Sequence, residues 1–305
     1  MTRLTRLAHP SSPTGLPALA CVACLAVIAW PGAGHAQPAP EAEHTPEAPA
    51  PLAKPAAHRP KFYFRAGGAL VKPVTSSREM ELADVDGPAS LAVQNGPIAG
   101  SGATVGSATI PAGLIGYVLP TASRRWSLEV VVGTPFTVKF QATGTLANTS
   151  IAPTALGIPT GVGPLGPELG EAKAVPPVIT AVYQLIGHGA LRPYAGGGAS
   201  VLFAYDAKVT NPMLTAVHQP ELSIAPAPGL VLQGGLDVRL WKAVYARLDV
   251  KFIALMMARA EVHHVEVQTP GLPLFESVEV GTAKMNIWVN PLIVQLGVGA
   301  DFDLF

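Results

Sequence analysis

The chain of 305 residues carries 20 Lys+Arg against 20 Asp+Glu, with 49% hydrophobic and 13% charged residues. Zero formal net charge without a basic block excludes nucleic acid as a main partner, and so apolar a composition excludes global disorder. Charge at about half the usual ~25% is too little to keep an ordinary soluble enzyme dissolved, and points to a chain that shows much of its surface to lipid.

In chain order, Arg3 and Arg6 form a basic start, an apolar run follows from Leu16 to Trp30, and Pro31-Gly32-Ala33-Gly34-His35-Ala36 closes it. This is the layout of a secretory signal peptide, residues 1–36, with cleavage expected after Ala36. The apolar run is shorter than the roughly 20 residues of a spanning helix. Both cysteines, Cys21 and Cys24, lie inside it, so the exported chain is expected to have no thiol or disulfide chemistry. Residues 37–60, QPAPEAEHTPEAPAPLAKPAAHRP, have almost nothing to bury and read as a flexible Ala/Pro-rich periplasmic linker.

From 61 to 305 the pattern alternates with period two. Eight segments carry it: 61–73, 108–118, 126–142, 174–186, 192–208, 228–240, 244–262 and 284–305. In 244–262 every even position from Val244 to Val262 is apolar, and in 126–142 the even positions run Trp126, Leu128, Val130, Val132, Thr134, Phe136, Val138, Phe140. Short connections at 119–125, 187–191 and 241–243 alternate with long ones at 74–107, 143–173, 209–227 and 263–283. Eight antiparallel strands with short turns at one end and long loops at the other predict an all-β, up-and-down transmembrane barrel.

A soluble barrel would turn the apolar stripe inward. Three features favour lipid outside: a terminal aromatic, Phe305; Trp126, Tyr183, Trp241 and Trp288 near strand ends, where interfacial girdles form; and glycines on the polar stripe (Gly196, Gly198, Gly235, Gly297, Gly299), where a narrow lumen needs small residues. The polar stripe then faces inward and sorts by depth. Toward the periplasm it predicts a charged floor of Arg65, Glu129, Arg192, Asp237, Arg239, Arg247, Asp249 and Lys251, with Asp301 nearby. Charges in so narrow a space must be paired. Toward the outside it predicts an apolar chamber of Val131, Leu202, Val231, Ile253, Leu255, Met257, Met285 and Ile287, a volume suited to an apolar ligand. Pro135 and Pro291 interrupt their strands and remove ladder donors, which suggests a lateral opening in the wall.

Catalytic signals are thin. His188 falls in a short turn, His218 in a loop, and His263-His264 at a strand end beside Glu261 and Glu266, a solvated rim rather than a metal site. No HExxH, P-loop or dinucleotide motif occurs. Neither an enzyme activity nor a metal or other cofactor is expected.

Several stretches carry a family likeness. They are Arg65-Ala66-Gly67-Gly68-Ala69-Leu70-Val71-Lys72-Pro73, Gly116-Tyr117, Leu128-Glu129 through Thr134-Pro135-Phe136, Val175-Pro176-Pro177, Arg192-Pro193-Tyr194-Ala195-Gly196-Gly197-Gly198, Gln233-Gly234-Gly235-Leu236-Asp237 and Asn290-Pro291. In this order and spacing, from Phe64 to about Phe302, the folded part resembles the OmpW family of small outer-membrane barrels, which includes the AlkL-type alkane importers. The resemblance implies passive passage of small hydrophobic molecules through the upper chamber, with lateral release into the outer leaflet. The expected partners are outer-membrane lipid and those molecules, in an oligomeric state the sequence leaves open. The alternative is a non-transporting surface receptor, a barrel that anchors long loops to which a partner binds.

Overall fold

The computed structural model describes residues 60–255 and 257–304, apart from the side chains of Val132 and Leu255. The expected signal peptide and linker residues 37–59 lie outside the described residues. Among the described residues the barrel and its outward extension form one sheet of 15 strands; two are short loop strands, Glu81–Ala83 and Gly96–Pro97, and the other thirteen are β1 (Phe62–Ser77), β2 (Ser101–Val105), β3 (Ala108–Val118), β4 (Trp126–Gly133), β5 (Phe136–Gly144), β6 (Glu168–Val175), β7 (Val178–Gln184), β8 (Leu191–Val209), β9 (Glu221–Ile224), β10 (Ala227–Trp241), β11 (Val244–Leu255), β12 (Ala258–His263) and β13 (Thr282–Phe302).

Eight of them close a ring of antiparallel ladders in the order β7-β4-β3-β1-β13-β11-β10-β8, with β8 pairing back to β7. Closure leaves no edge, the condition for strands to cross hydrocarbon. Among the described residues, no helix is long and apolar enough to cross a membrane. The short turns link β3 to β4, β7 to β8 and β10 to β11, and both ends of the described chain lie at this end of the barrel.

Around the ring the surface is inside out relative to a soluble protein. Leu230, Leu232 and Leu296 are 70%, 67% and 63% exposed, while Arg65, Glu129 and Asp249 are 1%, 0% and 0% exposed. Only a lipid solvent makes this arrangement favourable, since the aliphatic stripe costs free energy in water. Near the short turns an aromatic girdle forms: Phe62 meets Tyr117 and Phe302 at 5.1 and 6.1 Å between ring centroids, and Trp126 meets Tyr183 at 5.0 Å.

Three of the eight expected strands are not continuous. Segment 126–142 breaks into β4 and β5 at Thr134-Pro135, segment 174–186 into β6 and β7 at Pro176-Pro177, and segment 244–262 into β11, which ends at Leu255, and β12, which begins at Ala258. In the first two the cause is proline, which cannot extend a central ladder. The chain departs sideways instead. β4 pairs with β3 and β7, whereas β5 pairs with β2 and β6.

The first and third breaks reverse which parity faces in, whereas across Pro176-Pro177 the even residues face in on both sides, Ala172 and Ala174 above and Val178 and Thr180 below. Below the breaks the even residues Trp126, Leu128, Val130, Leu248, Val250 and Phe252 face lipid, as expected. Above them Phe136, Val138, Phe140, Ala258 and Ala260 line the interior, while Thr137, Lys139, Gln141 and Arg259 are exposed. The expectation that the even stripe faces lipid throughout is therefore corrected. One apolar stripe lies outside in the membrane and inside in the outward extension, which is polar on its exterior like a soluble barrel. In β8 a bulge does the same work. Asp206 has φ +49°, the register with β6 shifts between Glu171 and Lys173, and Asp206 points outward to ion pairs with Lys173 and Lys208 at 2.8 and 3.2 Å, while Val209 turns in and is buried.

The long loops are folded onto the extension. Leu146, Ala89, Val267 and Val280 are nearly fully buried there, within one cluster that continues down through Met285 and Ile287.

Candidate functional site

The lumen at the periplasmic end is filled by an ion-paired network. Arg247 donates Nε to Asp237 Oδ1 at 2.7 Å and Nη1 to Glu129 Oε1 at 2.6 Å. Arg65 donates to Asp301 Oδ1 at 2.6 Å, and Arg192 reaches the other Asp301 oxygen at 3.3 Å. Lys251 pairs with Asp249, and Gln233 Nε2 bridges Glu129 Oε2 at 2.7 Å and Asp249 Oδ1 at 2.8 Å. Four cations (Arg65, Arg192, Arg247, Lys251) thus meet four carboxylates (Glu129, Asp237, Asp249, Asp301), and the layer is neutral.

Tyrosines wedge the cations in place. The Arg247 guanidinium lies 4.4 Å from the Tyr194 ring centroid and 5.3 Å from that of Tyr63. Tyr63 donates to Glu129 at 2.6 Å and Tyr194 to Asp249 at 2.7 Å. Glycine makes room for both rings. A Cβ on Gly116 would sit 2.0 Å from Tyr63 Cζ, and one on Gly235 2.3 Å from the Tyr194 hydroxyl. Of the expected floor residues, Arg239 stands apart. It is exposed at the rim, where its Nε donates to the Tyr245 hydroxyl at 3.0 Å.

Above this layer lies an apolar cavity of about 330 Å³. Val131, Leu202, Ile253 and Ile287 line it, as does Pro291, and Ser200, Lys251 and Gln295 are the polar residues nearest the network among its walls. Val231 is buried in the same hydrophobic cluster but is not on the wall. Met285 lines a second, narrower cavity of about 60 Å³ above, which shares Phe140, Ala260 and Ile287 with the first. Met257 is half-buried away from both cavities, and the Leu255 side chain lies outside the described residues.

The sequence reading missed much of the wall. Continuous alternation puts Phe136, Val138, Phe140, Ala258 and Ala260 outside, yet they line the chamber, as do Pro73, Pro176 and Pro177, which alternation leaves unassigned. Strand-interior prolines were the available signal for the first break and for Pro176-Pro177. Nothing in Met256-Met257 marks the third.

The wall has a side gap. The β3–β4 ladder ends at Ala112↔Gly133, yet β3 continues to Ala108 with a partner only on its β1 side, because β5 has moved away to β2 and β6. Exposed Pro111 stands on this unpaired edge, where proline is tolerated. Gly106 N–H donating to Lys139 O at 3.0 Å closes the gap above, and exposed Pro135 lies at its foot. Ile110, Gly133, Thr134 and Phe136 face the cavity along its rim. Pro291 differs from expectation. β13 runs through it unbroken, in register with Pro73. Its missing donor falls between Phe252↔Leu292 and Ala258↔Ile287, where β13 has no ladder on its other side.

Outermost, loop residues 88–93, 152–160 and 267–280 enclose a third apolar pocket of about 240 Å³, which shares Val280 with the narrow cavity. The histidines serve the loops: His218 bonds Glu266 Oε2 at 2.8 Å and the His264 carbonyl at 2.8 Å, and His264 meets Glu279 at 3.2 Å. Among the described residues, no group of three or more His, Cys, Asp or Glu is placed to hold a metal.

A model of the OmpW family matches residues 59–302. Among solved structures, the outer membrane protein OprG from Pseudomonas aeruginosa is 22% identical, covers 81% of this chain and 98% of its own, and superposes with a TM-score of 0.61. AlkL in lipid bilayers is 18% identical, with 85% and 98% covered and a TM-score of 0.48. The Escherichia coli outer membrane protein W is 17% identical, with 81% and 100% covered and a TM-score of 0.39. No curated protein matches the chain. With four fifths of its length under that model and an eight-stranded ring that superposes on such a barrel, the chain belongs to the OmpW family of bacterial outer-membrane β-barrels.

Proposed function

We propose that the barrel passes small hydrophobic molecules passively from the outside into the outer leaflet, entering through the loop crown and leaving sideways beside Pro135. One observation carries this reading: an apolar cavity lies directly above a filled, neutral, ion-paired layer and beside an unladdered interval of the wall. Descent through the network would strip an apolar solute's surroundings down to charge, which is unfavourable. The gap offers hydrocarbon at the same depth. Water in so apolar a cavity finds few hydrogen-bond partners, so a solute that replaces it gains free energy.

Transfer of an apolar fluorescent tracer into vesicles that carry the full-length protein tests the reading. Ile253→Lys places a charge in the chamber wall and is expected to reduce the protein-dependent rate at least tenfold. Gly133→Trp has open space for its Cβ at the rim of the gap. It is expected to slow transfer while the tracer still binds inside. Transfer that is indifferent to both substitutions contradicts the proposal.

A second reading is favoured by the loop pocket, whose lips Leu274 and Leu156 are 89% and 77% exposed. Leu156 also holds φ +50° before Gly157, a strained place for a leucine in a tight turn. In this reading the barrel anchors a receptor and moves nothing. Partner binding lost in Leu274→Ser, with no tracer transfer by the unaltered protein, would favour it.

A further inference from the structure

We infer that the base of the chamber is a subsite for an uncharged polar head, so that the preferred solute is a medium-chain molecule with one hydroxyl or carbonyl group rather than a pure hydrocarbon. The inference rests on the uptake reading above and adds the substrate class.

The walls are aliphatic and aromatic, but Ser200, Lys251 and Gln295 stand at the end next to the network. Ser200 is 3% exposed, and its Oγ has no hydrogen-bond partner. Along β8 it is the inward residue just below Leu202, opposite Val178 on one side and Gly229 on the other. One step deeper, Thr180 Oγ1 opposite Gly198 lacks a partner, and so does Gln233 Oε1 opposite Gly196. A buried hydroxyl left unpaired is costly, and a ligand group that bonds it recovers that cost. Ser Oγ both donates and accepts, so either an alcohol or a carbonyl satisfies it.

Charge balance selects a neutral head. Lys251, the cation at the base, is already paired with Asp249, and the whole layer balances four cations against four carboxylates. A carboxylate head would bring an uncompensated charge into this space, whereas a hydroxyl brings none. Size sets the rest. At roughly 30 Å³ per heavy atom, the share of a water molecule in its liquid, a cavity of about 330 Å³ holds about ten heavy atoms.

The test compares binding of n-octane, 1-octanol and octanoate to the full-length protein in bilayers, wild type beside Ser200→Ala, so that partitioning into lipid cancels. Ser200→Ala is expected to weaken octanol about tenfold, the factor that one hydrogen bond of ordinary strength supplies, and octane less than twofold. Octanoate is expected to bind the wild type more weakly than octanol. Equal losses for octane and octanol, or octanoate as the tightest ligand, overturn the subsite. If no C8 probe binds the wild type, the chamber reading itself falls; if octane binds and crosses but octanol gains nothing from Ser200, only the head-group assignment falls.

Discussion

Arg247 is the residue on which the floor turns. It is 2% exposed and holds Glu129 and Asp237 at once, while Tyr63 and Tyr194 cover its faces. Arg247→Met would leave two carboxylates buried with a cation removed, a change that costs about 3–5 kcal/mol. We expect the unboiled, folded gel band to be lost at a clearly lower temperature. Arg239→Met, at the exposed rim, should stay within about 0.5 kcal/mol, and equal effects from the two would contradict the assignment of Arg239 outside the network. Most of the floor was legible in the sequence because the inward charges of each strand fall on one parity within that strand in the ring's lower half, where alternation is unbroken. Tyr63 and Ser200 were not legible. A tyrosine in a barrel strand reads equally well as a girdle residue, and the value of a lone serine depends on whether its neighbours leave it a partner.

At the scale of the strand, alternation fixes which residues share a stripe but not which side of the wall that stripe occupies. Even positions from Val244 to Val262 are apolar throughout, yet Leu248, Val250 and Phe252 face lipid and Ala258 and Ala260 face the cavity. The stripe follows its solvent: hydrocarbon outside the lower half, an enclosed chamber inside the upper half. Outer-face substitutions should separate the halves. Leu232→Arg, on β10 in the membrane belt, is expected to cost about 2–4 kcal/mol. Gln141→Arg, on the exposed polar face of β5, should change stability by no more than about 0.5 kcal/mol. Urea unfolding in lipid vesicles reads both, and a large penalty at Gln141 would place the upper half in hydrocarbon.

For the whole molecule, strand number, ring closure and the alternation of short turns with long loops could be read from turn signals and periodicity. The loops' internal order could not. Their small strands and shared core, from Leu146 to Val280, are set by contacts distant in sequence. Three apolar spaces in succession, from loop pocket through narrow cavity to chamber, follow from that order together with the strand breaks. The chamber exists because the apolar stripe passes from the outer to the inner face of the wall. Spin labels placed singly from 246 to 262 on β11 and β12, in the protein reconstituted in bilayers, measure it directly through collisions with oxygen in lipid and with a water-soluble nickel complex. Lipid exposure is expected at 248, 250 and 252, water exposure at 259, and protection from both reagents at 258 and 260; lipid exposure at every even position through 262 would contradict the passage of the stripe from outside to inside.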